Sequence, residues 1–232
     1  MNTNPQAVKI LCYGDSNTWG YIPVSEARYP VDVRWTGLLQ SKLADGYWVI
    51  EEGLNGRTTN IEDPDSPGKN GLQYLLPCLK THNPIDLIIL MLGSNDTKHK
   101  FQRTPTDIAS GIQLLLHEII NTAWNKNGNV PYILLLAPPR VDDSVENARE
   151  EFAGASEKTA LLPGLYQRLA VDHNALFLDV NEWVKPSPKD GIHLEPADHL
   201  IIAENLSERI RAISLKERET GGNSKNISNG HG

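Results

Sequence analysis

Cysteine is scarce in this chain. Two in 232 residues, Cys12 and Cys78, are too few and too scattered for a disulfide scaffold or a cysteine-built metal site. Cys12 lies in an apolar run and reads as a small buried hydrophobe. Basic runs are absent and the net charge is −7. That excludes nucleic acid as the main partner, because affinity for phosphate backbones rests on clustered Lys and Arg. No apolar stretch approaches bilayer-spanning length, and residues 1–9 lack the apolar core of a signal peptide. The expectation is a soluble, cytoplasmic protein with no membrane partner. The histidines, among them His82, His99, His117, His173 and His199, show no ligand spacing with cysteine or carboxylate, so no metal is expected. Neither phosphate-loop pattern, Gly-x-x-x-x-Gly-Lys-Ser/Thr or Gly-x-Gly-x-x-Gly, is present. The Gly-x-Ser-x-Gly elbow of ordinary α/β-hydrolases is missing as well.

What is present suits one well-buried α/β domain. Five short apolar runs, residues 8–13, 48–51, 87–92, 132–137 and 176–179, read as buried strands. Their spacing leaves room for a helix between neighbours, the pattern of a parallel sheet built from βαβ units. Helices are predicted over 35–44, 71–81, 106–124, within 155–171, and over 196–213. The longest sets Ile108, Ile112, Leu115, Leu116 and Ile119 at near-helical spacing, with Thr106 or Asp107 as candidate cap after Pro105. A single domain over 1–215 is expected. Residues 216–232, polar and rich in Gly, Asn and Ser, read as a disordered tail, and residues 21–33 as a long loop.

Ligands of open parallel sheets bind at the carboxyl ends of the strands. Four polar clusters fall there: Gly14-Asp15-Ser16-Asn17 after the first strand, Gly53-Leu54-Asn55-Gly56-Arg57 after the second, Gly93-Ser94-Asn95-Asp96 after the third, and Asp190-Gly191-Ile192-His193 beyond the fifth. Each alone is a plausible turn or cap. Together they supply the parts of acyl transfer. A serine hydroxyl needs a base, and Asp-x-x-His can turn a carboxylate against one imidazole nitrogen, leaving the other free toward Ser16. The oxyanion of a tetrahedral intermediate needs aimed donors, which the Ser16 and Gly56 N–H groups and the Asn95 amide provide. Asp15 and Asp96 are assigned to loop hydrogen bonding. Trp19, Tyr21, Ile22 and Trp35 flank the nucleophile loop, and bulky side chains there narrow an acyl pocket; for Trp19 a pocket wall and core packing weigh equally.

At these residues the sequence resembles the SGNH branch of the GDSL hydrolases. That family's Ser, Gly, Asn and His blocks map onto Ser16, Gly56, Asn95 and His193, with Asp190 three residues before the histidine. Asn17 stands where the name-giving leucine often is, a position that is not catalytic. The stretches Asp32-Val33-Arg34-Trp35-Thr36-Gly37 and Met91-Leu92-Gly93-Ser94-Asn95-Asp96-Thr97-Lys98 are most similar to the aryl esterase/acyltransferase (perhydrolase-like) group, and the likeness runs over residues 8–213. The resemblance implies a flavodoxin-like three-layer α/β/α sandwich with no metal and no organic cofactor. It also implies hydrolysis of short-chain carboxylic esters through an acyl-enzyme, acyl transfer to alcohols, and assembly into a homo-oligomer. A carbohydrate acetylesterase of the same fold is the nearest alternative. A flavodoxin-like nucleotide- or phosphate-binding module is the alternative from another class.

Overall fold

Side chains alternate along each buried strand, so a strand covered on both faces divides its apolar residues between two cores. In β1 (Val8–Gly14), Leu11 and Tyr13 face one way and Ile10 and Cys12 the other. The same division holds in β3 (Leu87–Met91), with Ile88 and Leu90 against Leu87, Ile89 and Met91, and in β4 (Tyr132–Ala137). With β2 (Tyr47–Gly53) and β5 (Leu176–Asp179) they form one five-stranded sheet in the order β2-β1-β3-β4-β5, every pairing parallel. This computed structural model describes residues 2–222.

The first core is roofed by α3 (Gly71–His82), α4 (Pro105–Thr122) and α6 (Ala155–Asp172), through Leu75, Leu79, Ile108, Ile112, Leu115, Leu162 and Tyr166. The second is closed by α2 (Trp35–Leu43) and α7 (Pro196–Gly222), through Trp35, Leu39, Ile202, Leu206 and Ile210. The result is the expected α/β/α sandwich, with all five strands and four of the five main helices within a few residues of their predicted bounds. Two one-turn helices, α1 (Ser16–Trp19) and α5 (Glu146–Arg149), lie outside the predictions.

Two local expectations are corrected. The cap of α4 is Thr104, not Thr106 or Asp107: its hydroxyl accepts from the Asp107 N–H at 3.2 Å, while the Asp107 carboxylate accepts from the Thr104 N–H at 2.9 Å. Such a reciprocal box, with Pro105 at the first helical position, stabilises a helix start by about 1 kcal/mol. At the other end of the chain α7 continues to Gly222, into the stretch read as tail. The remainder of that stretch, 223–232, lies outside the described residues.

Chain order places β1 between β2 and β3, so the connections diverge on either side of β1. A crevice opens at such a switch point, beyond the carboxyl ends of β1 and β3.

Candidate active site

Gly14 ends β1 and Ser16 begins α1, so the serine sits where the strand turns directly into helix. The turn is tight because Gly14 lacks a side chain: a Cβ there would lie 2.1 Å from the Thr18 hydroxyl and 2.9 Å from the Met91 carbonyl. Asp15 caps the helix by accepting from the Asn17 N–H at 3.0 Å. As the first helical residue, Ser16 presents its N–H outward with no intrahelical acceptor.

The partner loop arrives from far along the chain. His193 Nε2 lies 3.0 Å from Ser16 Oγ, and His193 Nδ1 lies 2.8 Å from Asp190 Oδ2. The other Asp190 oxygen accepts from the Ile192 and His193 N–H groups, each at 3.0 Å. Asn17 ties the two ends together, its side-chain amide donating to the Ile192 carbonyl at 3.3 Å. Burial works to raise the Asp190 pKa, but the hydrogen bonds from the His193 ring and the two amides outweigh it and hold the carboxyl below its usual range. Asp190 is therefore an anion at neutral pH, facing the imidazole nitrogen that must carry a proton if Nε2 is to accept one.

The two other clusters meet on the same rim. Gly56 has φ +76°, a left-handed conformation that glycine adopts without strain. The Asn95 amide donates to the Arg57 carbonyl at 3.1 Å, using one N–H and leaving the second available. Arg57, a member of the second cluster with no role assigned from sequence, binds the loop to the sheet: its guanidinium donates to the Gly14 carbonyl at 2.9 Å and to the Glu52 carbonyl, and stacks 4.2 Å from the Tyr13 ring centroid. Asp96 does the loop work expected of it, accepting from the Thr59 N–H at 2.9 Å and from Arg103 at 2.7 Å. Burial pushes its carboxyl up to about 6 against those hydrogen bonds. Asp15, also fully buried, is likewise pushed up to about 6.

The aromatic residues divide. Trp35 is 0% exposed in the second core, and its indole N–H donates to the Asn17 carbonyl at 3.0 Å, so it supports the nucleophile turn from beneath and does not line a pocket. Trp19 is half-buried at the rim, 6.3 Å from Tyr21 and under the Arg28 guanidinium. Tyr21 stacks on the His193 ring at 4.2 Å, a contact no local sequence signal announced. The long 21–33 loop is pinned by Glu51, which accepts two hydrogen bonds from Arg34 at 2.8 and 2.7 Å and one from Arg28 at 3.1 Å. Away from this rim, the ligand atoms of Glu52, Cys78 and His82 all lie within 4.8 Å of one another.

A parallel sheet in this order, with a serine, histidine and aspartate in one hydrogen-bonded line at its switch point, has the arrangement that a serine hydrolase requires. Residues 12–200 match the model of the GDSL-like lipase/acylhydrolase family, and the chain belongs to that family. Ester hydrolysis is the kind of activity that membership carries. Among solved structures, the chain is similar to the aryl esterase of M. smegmatis, with 40% identity and a TM-score of 0.83 over 89% of this chain and 99% of that one. It is also similar to a carbohydrate acetylesterase from Sinorhizobium meliloti, with 38% identity and a TM-score of 0.81 over the same shares. An acetylxylan esterase of Xylanibacter ruminicola is 32% identical over 92 residues, 40% of this chain but only 18% of that protein's length.

Proposed function

We propose that the protein hydrolyses short-chain carboxylic esters through an acyl-enzyme on Ser16. The observation that carries this reading is the unbroken line from Asp190 through His193 to Ser16, at 2.8 and 3.0 Å, on the rim that also bears Gly56 and Asn95. His193 takes the Ser16 proton as Oγ attacks the ester carbonyl. The oxyanion is met by the Ser16 and Gly56 N–H groups and the free Asn95 N–H. His193 then gives its proton to the departing alcohol; in the second half it takes a proton from water as the water oxygen attacks the acyl carbon, and returns it to Ser16 Oγ as that bond breaks and the acid leaves. Donors alone stabilise the charge in this cycle, so turnover survives EDTA.

Half-buried Trp19 and Tyr21 support an apolar entrance, which favours small acyl groups and lets an alcohol compete with water for the acyl-enzyme. Acyl transfer, assembly as a homo-oligomer and residence in the cytoplasm belong to the same reading. The last is supported by two cysteines that are both buried and unpaired. A second reading, removal of acetyl groups from carbohydrate, is favoured by the names of two of the relatives.

A fluorophosphonate probe tests the central step. Labelling at Ser16, located by mass spectrometry, is expected; labelling elsewhere, or none, overturns it. p-Nitrophenyl esters of increasing chain length and acetylated sugars then separate the two substrate classes. Vinyl acetate with benzyl alcohol measures transfer against hydrolysis.

A further inference from the structure

Outside the triad, one group of side chains has the composition and shape of a site. Cys78 and His82 are four residues apart on α3, so they project from one face of the helix, and Glu52 reaches them from β2. His82 Nε2 is 2.8 Å from Glu52 Oε1, and all three ligand atoms fall within 4.8 Å of one another. We propose that Glu52, Cys78 and His82 bind a borderline-soft divalent cation, Zn2+ in the first instance, with the fourth position open to water.

The donor set selects the ion. One sulfur, one imidazole nitrogen and one carboxylate oxygen suit Zn2+, whereas Mg2+ and Ca2+ require oxygen shells. A thiolate and a carboxylate together neutralise the ion's two charges. There is also a way in. A groove of about 860 Å3, lined in part by Trp48, Ile50, Glu51 and His82, brings solvent to the histidine, and Cys78 is buried. Without an ion, burial and the Glu52 charge push the thiol up to about 12, with the nearby Arg57 guanidinium pulling the other way, so the cysteine rests as the thiol. On binding, the sulfur–proton bond breaks and the proton goes to solvent. His82 ligates through Nε2 with its remaining proton on Nδ1, and Glu52 turns its oxygen from the imidazole to the ion. The thiol proton is released for each ion bound, so uptake tightens as pH rises.

None of the three side chains shares a hydrogen bond with Ser16, Asp190 or His193, so binding is read without reference to catalysis. The purified chain, stripped with chelator and dialysed, is titrated with Co2+ while its thiolate-to-cobalt charge-transfer band is followed; Zn2+ is then added to displace it. Saturation at one ion per chain is expected. Cys78→Ser should abolish the band and weaken Zn2+ by more than the roughly 10–100-fold that loss of an outer partner costs. Cys12→Ser should change neither. His82→Gln should weaken Zn2+ comparably, and it carries the test if Cys78→Ser does not fold. Retained ester hydrolysis reports folding in each variant. A band that survives Cys78→Ser, or Zn2+ content far below one per chain, overturns the site.

Discussion

The two halves of the candidate triad are held in place by different physics. Ser16 stands at the end of a central strand, where β1 is paired on both sides and the turn beneath it is packed on buried Trp35. Its position follows from the cores. His193 lies outside regular structure, on a loop that Ile192 and Leu194 anchor to apolar clusters and that a set of hydrogen bonds holds in shape. Ser187 N–H donates to the His193 carbonyl and Gly191 N–H to the Ser187 carbonyl, each at 2.7 Å, and Asp142 N–H reaches the Gly191 carbonyl at 2.7 Å. Side-chain charge adds to this: Ser187 donates to Glu195 at 2.6 Å, and Lys189 pairs with it at 2.9 Å. Strand ends fixed by packing tolerate changes of charge, whereas a loop fixed by carboxylates depends on their ionisation. The Ser187 and Lys189 hydrogen bonds hold Glu195 below its ordinary range, and Asp190 is depressed as described, so the loop tightens above the ordinary carboxylate pKa and loosens as pH falls through the depressed values.

The largest expected effect lies at the strand end. Ser16→Ala should lower turnover by about 10⁴ to 10⁶ with an unchanged thermal midpoint, since Trp35 and Gly14 beneath it are untouched. A variant that keeps a substantial share of turnover excludes Ser16 as nucleophile. On the loop, Asp190→Asn should cost about 10⁴ in kcat and also weaken the loop, because an amide cannot match a carboxylate for the imidazole and both backbone N–H groups. Limited proteolysis sharpens the contrast: cleavage should appear near residues 185–195 in Asp190→Asn and not in Ser16→Ala. Equal protection in both would mean that packing, and not charge, fixes the loop.

The effect expected at Asn95 is intermediate. Asn95→Ala should lower kcat by roughly 10²–10³ with little change in KM, as expected for a donor used only once the oxyanion forms. Steady-state kinetics decides: a change confined to KM would make Asn95 a ground-state binding group.

How far the sequence revealed this molecule follows the same division. The five strands were readable because each is a short apolar run whose length and spacing decide its place in a parallel sheet. The rim clusters were readable because topology sends every strand's exit to one edge. What escaped depends on contacts between distant elements. Tyr21 stacks on His193 only because the 21–33 loop folds back through Arg28, Arg34 and Glu51. Trp35 looked like a pocket aromatic by proximity, yet the first turn of α2 points it into the second core. Cys78 and His82 stand four apart in plain view, but their third partner comes from β2, and pairing of β2 with β1 is what delivers it.

The smallest effect concerns a residue buried under the rim. Asp15 is 1% exposed, and one of its oxygens has no hydrogen-bond partner. Burial raises its pKa from an ordinary 3.8 to about 6, although the Asn17 N–H and the His193 and Arg57 charges favour the anion and only Asp96 adds to the rise. A group whose folded pKa is raised contributes stability that is complete below the unfolded value and is lost as pH rises through the folded one. This is opposite in sign to Asp190. Asp15→Asn keeps a side-chain oxygen for the helix cap and removes the titration. Its unfolding free energy relative to wild type, measured in urea at steps from pH 4 to pH 7, should therefore increase with pH, by on the order of 1–3 kcal/mol across that span. A difference that stays flat would mean Asp15 is ionised throughout, with the nucleophile turn drawing on the Arg57 and His193 charges for its stability as the histidine loop draws on its own carboxylates. The contrast between the two halves would then narrow to packing alone.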